Sequence, residues 1–166
     1  MNFKKNRMKK ISAFAFGALL IILSGCSSKI TTTAYHNYNT ECLGKSMDGT
    51  QTLRVWASGR NRIHAIEQAK KKAVYDVVFT GINGGSGECN AYPVIDEANA
   101  RKKYEEYFDL FFTDGGAYSQ YVTTENQKKS SIDKFKGDGT VMFGIIVSVN
   151  RSALYQRFVS DNIIVK

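Results

Sequence analysis

The chain reads as a single α+β domain behind an N-terminal leader: a mainly antiparallel sheet with about three helices packed on it. Three observations predict this. Residues 140–150 alternate Val141, Phe143, Ile145, Val147 and Val149 with the residues between them, the two-residue period of a strand. Residues 61–80 repeat Ile66, Ala69, Ala73 and Val77 at three- and four-residue spacing, the period of a helix. The predicted order is strand, helix, loop, helix, strand, strand, helix, strand, which lacks the regular alternation of a parallel α/β fold.

The first 25 residues carry their own logic. Lys4, Lys5, Arg7, Lys9 and Lys10 form a basic opening without an acid, and residues 11–22 are apolar except for Ser12. A charged start and a short apolar run make a secretory signal; the run falls short of the roughly 20 residues of a membrane span. Leu23-Ser24-Gly25-Cys26 closes it. This tetrapeptide resembles the lipobox of bacterial lipoproteins. The resemblance implies that residues 1–25 are removed and that Cys26 takes a diacylglycerol on its sulfur. The thiol is the nucleophile this needs, and small Ser24 and Gly25 leave the backbone accessible. Each buried methylene adds about 0.8 kcal/mol, so two or three acyl chains hold a protein firmly. Residues 26–34 then read as a polar tether and 35–166 as the domain. The serine after the cysteine implies, by the same resemblance, an outer-membrane address facing the periplasm.

Composition narrows the partners. Of 166 residues 43% are apolar and 12% aromatic, enough for a real core. The formal charge is +8, but residues 1–25 hold five bases and no acid. Without them 18 bases face 15 acids, a net of +3. The bases come in small clusters (Lys70–Lys72, Arg101–Lys103, Lys128–Lys129) with acids nearby, which is no nucleic-acid footprint. The expected partners are the membrane, through the anchor, and an envelope protein, with no nucleic acid and no cofactor. Cys42 and Cys89 remain after Cys26 is assigned. In an oxidising compartment they read either as a disulfide, contributing roughly 3–4 kcal/mol by loop closure, or as two separate thiols. No metal site is expected: CxxC is absent, and His36 and His64 sit in no ligand spacing.

The elements follow in order. Residues 34–52 show no sustained period, with a turn signal at Asp48-Gly49. Leu53, Val55 and Ala57 form one face of a strand ended by Gly59, and Trp56 covers the other face. Asn61 is placed to cap the first helix; Ile63, Val74 and Val78 widen its stripe, Asp76 is read on its polar side, and Gly81 stops it. Residues 81–94 are glycine-rich loop around Pro93. Asp96 is the expected cap of a second helix reaching Thr113, with Ala100, Tyr104, Tyr107, Phe108 and Phe111 as its stripe. Residues 118–124 favour strand, and 130–136 read as strand or loop. Ser152 is the expected cap of a last short helix holding Leu154 and Phe158, and residues 163–165 look β-like.

Leu53-Arg-Val-Trp-Ala-Ser-Gly-Arg-Asn, followed by Ala65, Ala69 and Ala73 in helical register, is similar to the strand–glycine–helix opening of small envelope-lipoprotein domains, among them the N-terminal domain of flagellar assembly protein T. About thirty residues carry the resemblance. It implies an envelope role and supplies no catalytic residues.

Three functions stay open. The first is a non-enzymatic envelope lipoprotein presenting a protein-binding surface. The second is a module for a glycan, lipid or peptide, with Trp56, Tyr104, Tyr107, Phe108 and the 84–93 loop as the ligand or partner surface; the rings of residues 104–112 read first as core. The third is a cell-wall hydrolase using carboxylates such as Asp114 or Glu125. No nucleophile elbow surrounds Ser58, Ser86 or Ser119.

Overall fold

The computed structural model describes residues 39–85, 88–125, 134–136 and 141–165. The leader, Cys26, the tether, His36 and the 137–139 turn lie outside the described residues.

The centre of the fold is one antiparallel pair. β2 (Thr50–Ser58) and β6 (Val141–Asn150) run in unbroken register from Thr50 opposite Asn150 to Ser58 opposite Met142. β1 (Glu41–Lys45) pairs antiparallel with β2 across a bulge between Cys42 and Gly44. The turn between them is closed by Asp48, whose carboxylate accepts from the Thr50 amide at 3.0 Å and the Thr50 hydroxyl at 2.8 Å. β3 (Gly84–Gly85) adds a short parallel bridge to β1. On the far side, β4 (Val122–Thr124) and β5 (Lys134–Lys136) share the other edge of β6. The sheet order is β3-β1-β2-β6-β4, with β5 also on β6.

This is the mainly antiparallel α+β architecture that the sequence predicts. Period two sorts the strands into two faces. Leu53, Val55, Ala57, Phe143, Ile145, Val147 and Val149 point inward and are buried. All buried apolar side chains of the described residues form one cluster, which includes these and none of the outward ones.

The first helix, α1 (Arg62–Tyr75), lies on that inner face. Asn61 caps it, its side-chain oxygen accepting from the His64 amide at 2.8 Å. Ala65, Ala69 and Ala73 are all 0% exposed. Their small side chains let the helix backbone sit close to the sheet. Ile63, expected on the stripe, is 75% exposed although it stands one turn before Ile66: it lies in the first turn of α1. After Tyr75 the chain passes into a π-helical turn, Asp76–Thr80. The Val77 and Val78 carbonyls, left without helical partners at this end, accept from the Val94 and Ile95 amides at 3.0 Å each. Gly81 ends the turn at φ +75°, where a Cβ would lie 1.9 Å from the Ala91 carbonyl oxygen.

The second helix departs from expectation. It starts at Ala100, after Asn99 in a left-handed conformation, and breaks at Tyr104 into α2 (Ala100–Lys103) and α3 (Glu105–Phe111). The Tyr104 amide still donates to the Ala100 carbonyl and the Tyr104 carbonyl accepts from the Phe108 amide, both at 3.0 Å, so the two pieces stay linked. Arg101, Lys102 and Lys103 suit the negative end of one helix; Glu105 and Glu106 suit the positive start of the next. Of residues 118–124, read as strand, only Val122–Thr124 joins the sheet; 118–121 lie in the 3-10 turn Ala117–Tyr121. The last helix, α4 (Arg151–Ser160), follows β6 without a loop, so its cap is Asn150, accepting from the Ala153 amide at 2.9 Å, rather than Ser152. The segment after it is not a strand; Ile163 folds back, its amide donating to the Phe158 carbonyl at 2.8 Å.

α3, α4 and the π turn meet in a ring cluster. Phe108 is 0% exposed and packs on Phe79, Phe158, Phe111 and Phe112, with centroids 4.8–6.4 Å apart. Truncating such a ring leaves a cavity costing about 3–5 kcal/mol. We predict that Phe108→Ala loses stability on that scale in denaturant unfolding, whereas Leu110→Ala, 73% exposed on the same helix, stays within about 0.5 kcal/mol. Equal losses would refute this assignment of the core.

Candidate functional site

The structure divides the sequence-derived candidates among three places. Phe108 belongs to the core and offers no surface. Tyr104 and Tyr107 are half-buried on the helical side. Trp56 stands on the outward face of β2, across the sheet from them. The four rings and the 84–93 loop therefore do not line one pocket.

Tyr107 is a fastening. Its hydroxyl donates to Asp161, which also accepts from Arg157 Nε at 2.6 Å, tying α3 to the end of α4. Burial, and next the Asp161 carboxylate, push the Tyr107 phenol up to about 12. Tyr118 is also raised, by burial and then by the negative Glu67 and Asp114. Tyr104 carries the Lys103 ammonium 4.9 Å from its ring centre.

Cys42 and Cys89 form a disulfide with an S–S distance of 2.04 Å. It closes a loop between positions 47 apart and pins the segment after β3 to β1. Gly85 sits under it at φ +99°, where a Cβ would come within 2.2 Å of the Cys42 carbonyl oxygen. The Arg151 guanidinium holds the same loop from the other end, donating to the Tyr92 and Pro93 carbonyls at 3.1 and 3.0 Å.

The outward face of the sheet is a further surface that these elements build. It carries Thr52, Arg54 and Trp56 from β2 opposite Ser148, Ile146 and Gly144 from β6, with Thr123 of β4 beside Ser148. Gly144 is buried where Trp56 stands opposite it; Arg54, Trp56, Ile146 and Met142 are half-buried. Arg54 reaches Glu41 of β1 at 3.4 Å, and the Thr52 and Ser148 hydroxyls lie 3.3 Å apart. Two aliphatic side chains and an indole within a polar border match the composition of protein-binding surfaces.

The hydrolase reading needs a carboxyl held neutral to act as acid. Asp114 is the reverse. Lys71 donates to it at 2.7 Å and holds its carboxyl below the usual range, and its side chain is 91% exposed. Glu125 is exposed just after β4. Among the described residues no group of three or more His, Cys, Asp or Glu side chains could hold a metal.

Sequence reasoning missed Asp76, which is 7% exposed. Its carboxylate accepts from Thr40 Oγ1 and from Lys72 Nζ, the latter at 2.7 Å. The signal was present: Ala69, Ala73 and Asp76 follow at four- and three-residue steps, so Asp76 continues the alanine stripe. No family model, curated protein or solved structure matches the chain.

The tyrosine environment has a pH consequence. A phenol raised in the folded state adds stability that is present below its unfolded value near 10 and is lost as pH rises toward 12. Unfolding followed from pH 9 to 12 will show stability falling across that window. Tyr107→Phe will shrink the fall without removing it, since Tyr118 contributes in the same direction. An unchanged fall in the variant would contradict the role given to Tyr107.

Proposed function

We propose that the protein is a lipid-anchored, non-enzymatic component of the bacterial envelope, held by Cys26 in the outer membrane facing the periplasm, that binds another envelope protein. The observation that carries the binding role is the outward sheet face around Trp56 and Ile146. Among the described residues the buried apolar side chains gather in the cluster on the opposite face, and Arg54, Trp56, Met142 and Ile146 stand half-buried on this one.

Two features support the address. Leu23-Ser24-Gly25-Cys26 closes a basic and apolar leader in the manner of a lipobox. The Cys42–Cys89 disulfide suits an oxidising compartment. Among the described residues no helix is long and apolar enough to cross a membrane.

Cys26→Ser removes the acyl-accepting thiol. Labelling of cells with a radioactive fatty acid is expected to mark the wild type and not the variant, and the variant is expected to keep residues 1–25. A wild type that takes up no label, or a variant labelled as strongly as the wild type, would overturn the anchor.

A further inference from the structure

The chain enters the described domain beside the end of α1. Asn39 is the first described residue. Thr40 follows and donates through Oγ1 to Asp76, which also accepts from Lys72 Nζ at 2.7 Å. A chain spans at most about 3.6 Å per residue, so the 13 steps from Cys26 to Asn39 reach about 47 Å. With acyl chains on Cys26, the entry point beside Lys72 cannot stand farther than that from the bilayer.

Lys71, Lys72 and Tyr75 of α1, Arg101 of α2 and Phe112 line a cleft of about 380 Å³ together with Asp76. Three bases there face one acid. Asp76 is buried and already satisfied by Thr40 and Lys72, so it neither repels nor attracts much from outside. Lys71 and Arg101 pair with Asp114 and Asp109, and the two sides of these pairs differ. The basic side chains are 26% and 35% exposed, their carboxylates 91% and 59%. The bases are therefore packed along their stems and fixed at the cleft, whereas the acids are free to turn into water. Pairs with such exposed partners hold weakly. The helix dipole accounts for Lys72 near the end of α1. It does not account for Arg101, which reaches the same cleft from another element. Tyr75 packs on Phe79 and Phe112, with centroids 5.0 and 5.9 Å away, and its ring still meets solvent. An apolar body with a polar tip, bordered by bases, suits the headgroup level of a membrane. Of the lining residues only Asp76 is buried, so a small soluble anion finds no enclosure here. A surface of many phosphates can meet all three bases at once.

We propose that this cleft is the face with which the domain rests on an anionic membrane surface, Lys71, Lys72 and Arg101 meeting lipid phosphates and Tyr75 the headgroup layer. The proposal rests on the anchor at Cys26 and goes beyond it: the anchor holds the chain to a bilayer, and the cleft sets which way the domain faces. Trp56 and Ile146 stand across the sheet from α1, so a domain resting on this cleft turns them away from the lipid.

The test reconstitutes the lipidated protein in vesicles with a photoreactive residue at position 68, in the cleft, or at position 146, on the outward face. Vesicles of phosphatidylethanolamine with phosphatidylglycerol are compared with vesicles of phosphatidylcholine alone. In the first, lipid adducts from position 68 are expected to exceed those from 146 at least fivefold. The yield from 68 should fall threefold or more in the second, and likewise at high salt, which screens exposed charges. Lys71→Gln with Arg101→Gln should lower it threefold or more at an unchanged unfolding midpoint; Lys72 is left in place because it satisfies buried Asp76. Lys45→Gln with Arg60→Gln removes the same charge from exposed positions outside the cleft and should not lower it. Equal adducts from 68 and 146, equal yields in both lipids, or an equal fall in the two double variants overturns the proposal. Fatty-acid label on the same samples separates the two readings. Unlabelled protein overturns the anchor and the docking face together, and labelled protein with equal adducts from both positions overturns the docking face alone.

Discussion

The structure depends on the approach of α1 to the β2–β6 pair. Ala65, Ala69 and Ala73 are wholly buried, and their size sets how near the helix comes. Leu53 and Val55 from β2 and Val147 and Val149 from β6 fill the space beneath. A larger side chain at any of the three alanines would lift the helix, and overpacking of this kind costs typically 1–3 kcal/mol. The strict register of β2 against β6 is the other half of the constraint. A slip by one residue would turn Trp56 and Arg54 inward and expose the valines.

From this contact follow both surfaces given a role. Because α1 and the ring cluster of α3 and α4 pack on one face, Trp56, Ile146 and Met142 stand on the other, the face proposed to meet a partner. Because the alanine stripe runs to the end of α1, Asp76 is carried down onto the same side, and the lead-in at Thr40 closes over it. The Cys42–Cys89 bridge and the Arg151 contacts to Tyr92 and Pro93 fix the loop that borders this end.

The parts legible in the sequence are those whose signal is local and repeated. The α1 stripe, the Asn61 cap and the alternation of β6 depend on spacing within one segment. The parts not legible depend on tertiary pairing. β3 is two glycines whose strand character comes entirely from β1. β4 and β5 are three residues each, defined by their partner β6. The charges around Tyr104 accompany the break, and a continuous apolar period masks it. Asp76 has the spacing of the alanine stripe and only its charge argues against burial, whereas Ile63 has the stripe's spacing and chemistry and is exposed because it lies in the first turn of α1. Of the sites, Trp56 could be assigned to its face from period two, but its separation from Tyr104 and Tyr107 is a property of the sheet.

The most direct measurement of the central claim is photocrosslinking in cells from position 146, on the outward face opposite Arg54, in the lipidated protein. Position 155 on α4 serves as the comparison, since Tyr155 is exposed on the helical side. The account predicts one dominant envelope-protein adduct from position 146 that is absent from position 155. Equal, scattered labelling of abundant membrane proteins from both positions would contradict it.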